Sequence, residues 1–128
     1  MTRFILSLCI VVVCISCKEK STTPRVEIIS VQEMKEVLKE ESVQLIDVRT
    51  RNEYATNHIK NAKNIVYQGD DWEAQVANLD KAKPVYVYCQ KGGRSAKCAS
   101  LLEKAGFEKV YDLNGGISQW ISEGNSVE

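Results

Sequence analysis

One cysteine, Cys89, stands where a predicted strand meets a glycine-rich turn. Val85–Tyr88 combines β-branched and aromatic residues, which indicates a buried strand. The following segment, 90–95, contains two adjacent glycines that permit backbone angles closed to other residues, and a helical pattern starts at about Ser95. A thiol between a strand end and a helix start meets free backbone N–H groups and the positive end of the helix dipole. These groups lower its pKa and stabilise an anion, so the pattern predicts a reactive thiolate at Cys89.

The loop resembles the active-site loop of rhodanese-type sulfurtransferases, whose pattern is Cys-x-x-Gly-x-Arg-Ser. Cys89, Gly92, Arg94 and Ser95 match this pattern one for one. Four residues separate Cys89 from Arg94, whereas tyrosine-phosphatase-like enzymes and rhodanese-fold phosphatases have one residue more there. A shorter loop closes around a smaller object, which in the family is a single terminal sulfur atom and not a phosphate group.

The resemblance implies a double displacement through a covalent intermediate. The Cys89 thiolate would attack the outer sulfur of a donor such as thiosulfate, and the resulting persulfide would pass its sulfur to cyanide or to a thiol. It implies neither a metal nor an organic cofactor. The partners that it implies are small molecules, a sulfur donor and a thiol or cyanide acceptor. The residues expected to bind substrate and to hold its charge are Gln90, Lys91, Gly92, Gly93, Arg94 and Ser95.

Two other functions stay open at this point. The first is a phosphatase or arsenate reductase on the same fold, and the length of the loop argues against it. The second is a non-catalytic binding or regulatory module, against which the joint presence of Cys89, Gly92 and Arg94 argues. Activity on an aryl phosphate would distinguish the first of these from a sulfurtransferase.

The charges of the loop predict thiosulfate as a better donor than 3-mercaptopyruvate. In the family, thiosulfate-using loops often carry charged residues where Gln90 and Lys91 lie, while mercaptopyruvate-using loops carry Gly-Ser or Gly-Thr. This loop matches the first kind at Lys91. Lys91 and Arg94 are expected to act as two cations beside the ring of N–H groups.

Two further segments resemble family signatures, and together with the loop they cover residues 28–123. The first joins Asp47-Val48-Arg49 to a Glu-Tyr, a His-Ile and an Asn-Ile pair, with Asn57 and Asn61 where the family has glycine. Asparagine is the next-best residue for a left-handed backbone, so the fold should tolerate both. The second is Gly115-Gly116-Ile117 followed by Trp120.

Other polar residues and thiols near these signatures are expected to have structural roles. His58 supports the fold and is not a base, and Asp47 and Arg49 tie the strand, the loop and Glu53 together. Cys98 is expected to pack in the core, although a Cys89–Cys98 disulfide stays open in an oxidising compartment. The aromatic residues assigned to the core are Tyr86, Tyr88, Trp72 and Trp120.

Strands and helices alternate along the chain, which predicts an α/β fold: a mainly parallel, rhodanese-like sheet with helices on both faces. Two capping boxes, Ser30 with Glu33 and Thr50 with Glu53, open helices. Another helix carries Trp72, Val76 and Leu79, and the helix 95–105 ends at Gly106. The predicted strands are 26–29, 43–48, 65–67, 85–88 and 109–113. Sites in such sheets lie beyond the carboxyl ends of the strands, where Cys89 falls.

The first residues of the chain predict that the protein is exported from the cytoplasm. Arg3 precedes an apolar run, 4–15, that has the length of a signal-peptide core and is too short to span a bilayer. Ser16 before Cys17 resembles a bacterial lipoprotein signal, although Cys14 stands where leucine is usual. We expect a signal peptide at 1–16, a polar tether at 17–25 and a rhodanese-like domain at 26–128. The protein would then be exported to the periplasmic or surface side of the cell envelope and lipid-anchored at Cys17, the alternative being a secretory signal without lipid.

Composition excludes several classes. The chain has 128 residues, enough for one domain, and its 17 basic and 17 acidic residues include no basic run, so nucleic acid is not an expected partner. Three of its five cysteines precede residue 18, which leaves Cys89 and Cys98 in the domain. Two cysteines are not a disulfide framework, and no paired Cys/His spacing indicates zinc. We expect a monomer.

Overall fold

Strands and helices alternate through residues 25–128, the part of the chain that the computed structural model describes. The proposed signal peptide, Cys17 and most of the tether lie outside these described residues. Within them, no helix has the length and apolar character needed to cross a membrane. The elements are β1 Val26–Ile29, α1 Val31–Val37, β2 Gln44–Asp47, α2 Arg51–Thr56, β3 Lys63–Asn64, α3 Trp72–Ala77, β4 Val85–Tyr88, α4 Gly93–Lys104, β5 Val110–Leu113 and α5 Gly116–Ser122.

The five strands form one sheet in the order β1-β5-β4-β2-β3, and every pair in it is parallel. Parallel neighbours need crossover connections, and the helices between the strands supply them. β4 lies at the centre of the sheet, with β5 on one side and β2 on the other. The predicted α/β fold with a mainly parallel sheet is confirmed.

Alternate residues of β4 enter two separate hydrophobic clusters, one on each face of the sheet. Val85, Val87 and Cys89 pack with residues of α3 and α4, whereas Tyr88 packs with residues of α1 and α5. This alternation follows from the two-residue period of a strand. Cys89 therefore lies on the α4 face, one residue beyond the carboxyl end of the central strand.

Both predicted capping boxes are present. Ser30 Oγ accepts a hydrogen bond from the Glu33 N–H at 3.1 Å, and the Ser30 N–H donates to the Glu33 carboxylate at 2.7 Å. Thr50 and Glu53 form the same pair of bonds at the start of α2. Each box satisfies N–H groups that have no partner within the helix.

Four elements have bounds that differ from the prediction. α4 begins at Gly93 and not at Ser95, because Gly92 has a φ of 116° and reverses the chain immediately before it. The strand predicted at 65–67 is wrong, since β3 is Lys63–Asn64. The Ile65 N–H donates to the carbonyl of residue 47, and the Tyr67 N–H donates to the carbonyl of residue 48. In a regular parallel ladder these two acceptors would be two residues apart, so the ladder does not continue through 65–67. β2 is two residues shorter than the predicted 43–48, and β5 is one residue shorter than the predicted 109–113.

The two asparagines that replace family glycines differ in conformation. Asn61 has a φ of 66°, in the left-handed region that asparagine tolerates. Asn57 has a φ of −164°, an extended backbone that any residue adopts. The tolerance of asparagine is therefore needed at Asn61 only.

Candidate active site

The sulfur of Cys89 lies in a cradle of hydrogen-bond donors. The N–H of Gly92 donates to Sγ at 3.1 Å, and the hydroxyl oxygen of Ser95 lies 3.4 Å from Sγ. The N–H groups of Lys91 and Ser95 also face the sulfur. The tight turn through Gly92 and Gly93 bends these N–H groups inward, as expected from the spacing of the loop.

These donors change the acidity of the thiol. Burial raises the pKa of Cys89, because a buried charge loses its hydration. The Ser95 hydroxyl and the backbone N–H groups of Ser95, Gly92 and Lys91 lower it by a larger amount, so the pKa of Cys89 lies below its ordinary value. The cradle can therefore hold negative charge on sulfur without a basic side chain.

The start of α5 holds the loop in place. The Ile117 N–H donates to the Cys89 carbonyl at 3.0 Å, and the Ser118 N–H donates to the Gln90 carbonyl at 3.1 Å. Gly116 has a φ of 61°, and a Cβ there would lie 2.5 Å from the Cys89 oxygen and 2.6 Å from the Gln90 oxygen. Only glycine permits this approach. The Gly-Gly-Ile segment thus positions the sulfur loop by backbone contact.

The side chain of Gln90 belongs to the framework. Its Oε1 accepts from Arg49 Nη1 at 3.1 Å, and its Nε2 donates to Ser118 Oγ at 2.9 Å. Gln90 was predicted to bind substrate. Because the oxygen and the nitrogen of its side-chain amide are both hydrogen-bonded within the protein, Gln90 offers a substrate its backbone N–H.

Arg49 is buried and ties several segments together. It forms a salt bridge with Asp47, Nη2 to Oδ2 at 2.7 Å, and donates to the Asn57 carbonyl at 2.6 Å. Together with its bond to Gln90, this joins β2, the residue after α2 and the sulfur loop. The expected link from Arg49 to Glu53 is wrong, because the partner of Glu53 is another arginine.

The arginine that pairs with Glu53 is Arg94. Its Nη1 and Nη2 donate to the two carboxylate oxygens of Glu53 at 2.7 and 2.9 Å. The bidentate contact with Arg94 is the main cause that lowers the pKa of Glu53 to about 2. The prediction of two free cations is therefore corrected: Arg94 is neutralised by Glu53. Lys91 is exposed and forms no ion pair with any residue in the described range 25–128.

The Arg94–Glu53 pair predicts a loss of stability in acid. Because the folded pKa of Glu53, about 2, lies below its ordinary value of 4.5, its stabilisation is complete above 4.5 and is lost as pH falls toward 2. In urea unfolding at a series of pH values, the stability advantage of the wild type over Glu53→Gln should shrink across this window. Glu33→Gln, which removes the equivalent capping carboxylate without an arginine partner, is the control and should show a smaller change. A constant difference between wild type and Glu53→Gln would contradict the pairing.

The other residues predicted to have structural roles are Cys98, His58 and four aromatic residues, and all of them are buried or partly buried. Cys98 lies on the buried face of α4, where burial is the main cause that raises its pKa to about 12, and both cysteines of the described range are free thiols. The His58 ring stacks on Tyr54 with centroids 3.9 Å apart and contacts its carbonyl. The four aromatic residues assigned to the core are buried or partly buried in it.

One residue near the sulfur was missed from the sequence. Asp112 lies in β5, is only 5% exposed, and packs on the same face of the sheet as Cys89. The available signal was an acidic residue within an otherwise apolar strand, Val110–Leu113.

A cavity of about 630 Å³ lies elsewhere, between the α1–β2 loop, Ile59 and Trp120. None of the residues 89–95 lines it. The donors around Cys89, and not the volume of that cavity, identify the reactive site.

Comparison with known proteins agrees with this geometry. Residues 30–123 match the family described as "Rhodanese-like domain". The chain belongs to the rhodanese-like domain family. Among curated relatives of this rhodanese-like domain, the protein YqhL of Bacillus subtilis is 42% identical over 77 residues, which are 60% of each chain. The thiosulfate sulfurtransferase GlpE of Shewanella oneidensis is 32% identical over 72% of this chain and 89% of its own length.

Larger proteins match the chain over part of their length. A tRNA uridine(34) hydroxylase of Aster yellows witches'-broom phytoplasma is 39% identical over 76% of this chain, but the match spans only 32% of that protein. The chain thus covers less than two thirds of the length of YqhL and of this hydroxylase.

Two solved structures share the fold over nearly their whole length. A rhodanese-like domain protein from Staphylococcus aureus has a TM-score of 0.68 and 33% identity, covering 80% of this chain and 96% of that one. A rhodanese-related protein from Thermoplasma volcanium has a TM-score of 0.69 and 30% identity, covering 78% and 95%.

Proposed function

We propose that the protein is a sulfurtransferase that carries a sulfane sulfur from thiosulfate, or a similar donor, to a thiophilic acceptor as a Cys89 persulfide. The observation that carries the proposal is the cradle of donors around Cys89 Sγ. A group of fixed N–H donors stabilises charge on the attacking sulfur and on the outer sulfur that replaces it. The thiosulfate sulfurtransferases among the relatives support the same chemistry.

In the first step the Cys89 thiolate attacks the outer sulfur of thiosulfate. A sulfur–sulfur bond forms to Cys89, the bond between the two sulfurs of thiosulfate breaks, and sulfite leaves with the electron pair of that bond. The product is a Cys89 persulfide anion. The terminal sulfur keeps the negative charge that it carried in thiosulfate, sulfite leaves as a dianion, and total charge is conserved.

In the second step a nucleophile such as cyanide attacks the terminal sulfur. The bond to Cys89 breaks, thiocyanate leaves, and the Cys89 thiolate is restored. Ser95 and the backbone N–H groups hold the charge in both steps, so no side chain has to act as a general base. The phosphatase alternative would need a loop with room for a phosphate group, and the four residues between Cys89 and Arg94 argue against it.

Steady-state kinetics test this proposal. With thiosulfate and cyanide varied together, a double displacement gives parallel lines in reciprocal plots. Intersecting lines would contradict a covalent sulfur intermediate. Absence of turnover together with hydrolysis of an aryl phosphate would replace the proposal with the phosphatase alternative.

Lys91 should select thiosulfate over 3-mercaptopyruvate. Because Glu53 neutralises Arg94, Lys91 is the charged side chain of the loop that remains available to a dianion. A charge-assisted contact contributes about 1.5–3 kcal/mol, or roughly ten- to a hundredfold in kcat/KM, so Lys91→Ser should lower that constant for thiosulfate by about this factor. The loss for 3-mercaptopyruvate should be much smaller. Lys97→Ser, an exposed lysine on α4, is the control. Equal losses on both donors would mean that Lys91 only supports the loop.

We also propose that the protein is exported and anchored by lipid at Cys17. The support is the sequence of residues 3–20 alone: Arg3, a short apolar core, Ser16, Cys17 and a polar segment. A single acyl chain binds a membrane only marginally, so stable anchoring requires the several chains of a lipoprotein. Cys17→Ser should move the protein out of the membrane fraction or block its maturation, and Cys14→Ser is the control. An unprocessed N-terminus in the wild type, or a Cys17→Ser variant that is processed and retained in the membrane like the wild type, would contradict the proposal.

A further inference from the structure

Asp112 is a buried acid that the proposed sulfur transfer leaves without a role. In the register of the sheet it lies opposite Val87 of β4 and Ile28 of β1. Because alternate strand residues face opposite sides, Asp112 shares the α4 face with Val87 and Cys89. It is 5% exposed, and its Oδ1 has no hydrogen-bond partner among the residues that the structure describes. Buried carboxylate oxygens are rarely left without a partner, so this atom requires an explanation.

Among residues 25–128, the groups around Asp112 include no cation that is available to pair with it. α4 contributes the Ser95 hydroxyl and the Cys98 thiol, and Arg94 on the same helix is held by Glu53. Cys89, after β4, lies on the same side of the sheet, and Ile28 is the register partner of Asp112 in β1. The neighbouring charges, Lys109 immediately before β5 and Glu27 in β1, pair with each other. Glu27 is adjacent to Ile28, the register partner of Asp112, and adjacent strand residues face opposite sides. The pair therefore belongs to the other face of the sheet.

These surroundings favour the neutral carboxyl. Burial raises the pKa of Asp112, and the hydrogen bond from Ser95, which lowers it, compensates only in part.

Ser95 has one hydroxyl hydrogen and three acceptors for it. Its Oγ lies 3.4 Å from Cys89 Sγ and 3.2 Å from the Gly92 carbonyl oxygen, and it also faces the Asp112 carboxyl. An ionised Asp112 would compete for this hydrogen. A neutral Asp112 has a hydrogen of its own, which it can donate to Ser95 Oγ.

We propose that Asp112 is a positioning residue of the sulfur site: its neutral carboxyl donates to Ser95 Oγ, which leaves the single Ser95 hydrogen for the charged sulfur of Cys89. This rests on the proposed function only in that Cys89 must work as an anion. The chain Asp112–Ser95–Cys89 strengthens the last bond, since a hydroxyl that accepts a hydrogen bond becomes a better donor. No proton is transferred along it. Ionisation of Asp112 reverses its first bond and withdraws the Ser95 hydrogen from sulfur.

Two uncharged replacements isolate the donated hydrogen. Asp112→Asn keeps the shape and an N–H donor at every pH, whereas Asp112→Val keeps a strand-favouring side chain without a donor. The acid dissociation constant of Cys89 is followed by NMR through its Cβ chemical shift during a pH titration. We expect it to be about three- to tenfold smaller in Asp112→Val than in Asp112→Asn, the range of one hydrogen bond. Equal constants in the two variants would overturn the proposal.

A second pair of variants tests the route through Ser95. In a Ser95→Ala background, Asp112→Asn and Asp112→Val should give the same dissociation constant for Cys89, because the link to sulfur is missing. If the difference persists at full size, Asp112 acts by another path and the proposal fails. The titration does not depend on turnover, so a protein that transfers no sulfur but shows this pattern would separate the failure of the proposed function from that of the inference.

Unfolding provides a measurement that does not need the valine variant to fold. A raised folded pKa means that the stabilisation from the Asp112 proton is lost as pH rises above the ordinary aspartate pKa of about 3.9. Wild type should therefore lose stability relative to Asp112→Asn as pH rises from about 4 toward neutrality. Parallel stability curves would show that Asp112 is not held as a neutral acid and would overturn the proposal.

Discussion

Cys89→Ser is expected to abolish sulfur transfer from thiosulfate to cyanide while the domain stays folded. Serine is nearly isosteric and can keep the contacts to Gly92 and Ser95. Its hydroxyl, however, is not ionised near neutral pH even beside N–H donors, and its oxygen cannot form a persulfide. Turnover in a thiocyanate assay and the circular dichroism spectrum are the two measurements. Turnover above background with an intact spectrum would contradict the assignment of Cys89 as the nucleophile.

Cys98→Ser is the matched control, because Cys98 is the other cysteine of residues 25–128. Its thiol is buried and has a pKa raised to about 12, so it stays protonated and unreactive at neutral pH. The variant should keep most of the activity. It should lose about 1–3 kcal/mol of stability, since a hydroxyl enters an apolar site. If it proved as inactive as Cys89→Ser, a mechanism with two cysteines would replace the present one.

Gly116→Ala is expected to damage both activity and stability. An added Cβ would meet the carbonyl oxygens of Cys89 and Gln90 at 2.5 and 2.6 Å, so either α5 or the sulfur loop must move. Displacement of a reacting group by about 1 Å costs on the order of a hundredfold in rate, and we expect a loss of this size in kcat/KM. The left-handed backbone and the overpacking together should lower the free energy of unfolding by about 2–5 kcal/mol.

Gly124→Ala separates these two effects. Gly124 also has a left-handed backbone, with a φ of 83°, but a Cβ there meets no atom within 4 Å. This control should lose about 1–2 kcal/mol of stability from the backbone alone and keep its activity. Equal kcat/KM losses in the two variants would show that the contact between Gly116 and the loop has no catalytic importance.

Features set by neighbours in the sequence were the most predictable. β4 has the predicted bounds, and both capping boxes form as expected, because each depends on residues within three positions of one another. The cradle around Cys89 is also local, since all its donors come from residues 91–95. The alternation of strands and helices then left few parallel arrangements for the sheet.

Features that depend on distant residues were missed. Arg94 and Glu53 are separated by 41 positions, and nothing in the loop reveals that its arginine is already paired. The engagement of Gln90 by Arg49 spans the same distance. Asp112 reaches the sulfur site only through strand register, which places β5 beside β4. Such pairings follow from tertiary packing, which patterns of hydrophobicity do not specify.

The most direct test is the intact mass of residues 25–128 after brief exposure to thiosulfate and removal of the excess. The account predicts that the protein gains the mass of one sulfur atom, that cyanide removes it, and that Cys98→Ser behaves in the same way. Cys89→Ser should gain no mass. A wild-type protein that remains unmodified by thiosulfate, or a sulfur adduct that persists in Cys89→Ser, would contradict the claim that Cys89 carries the transferred sulfur.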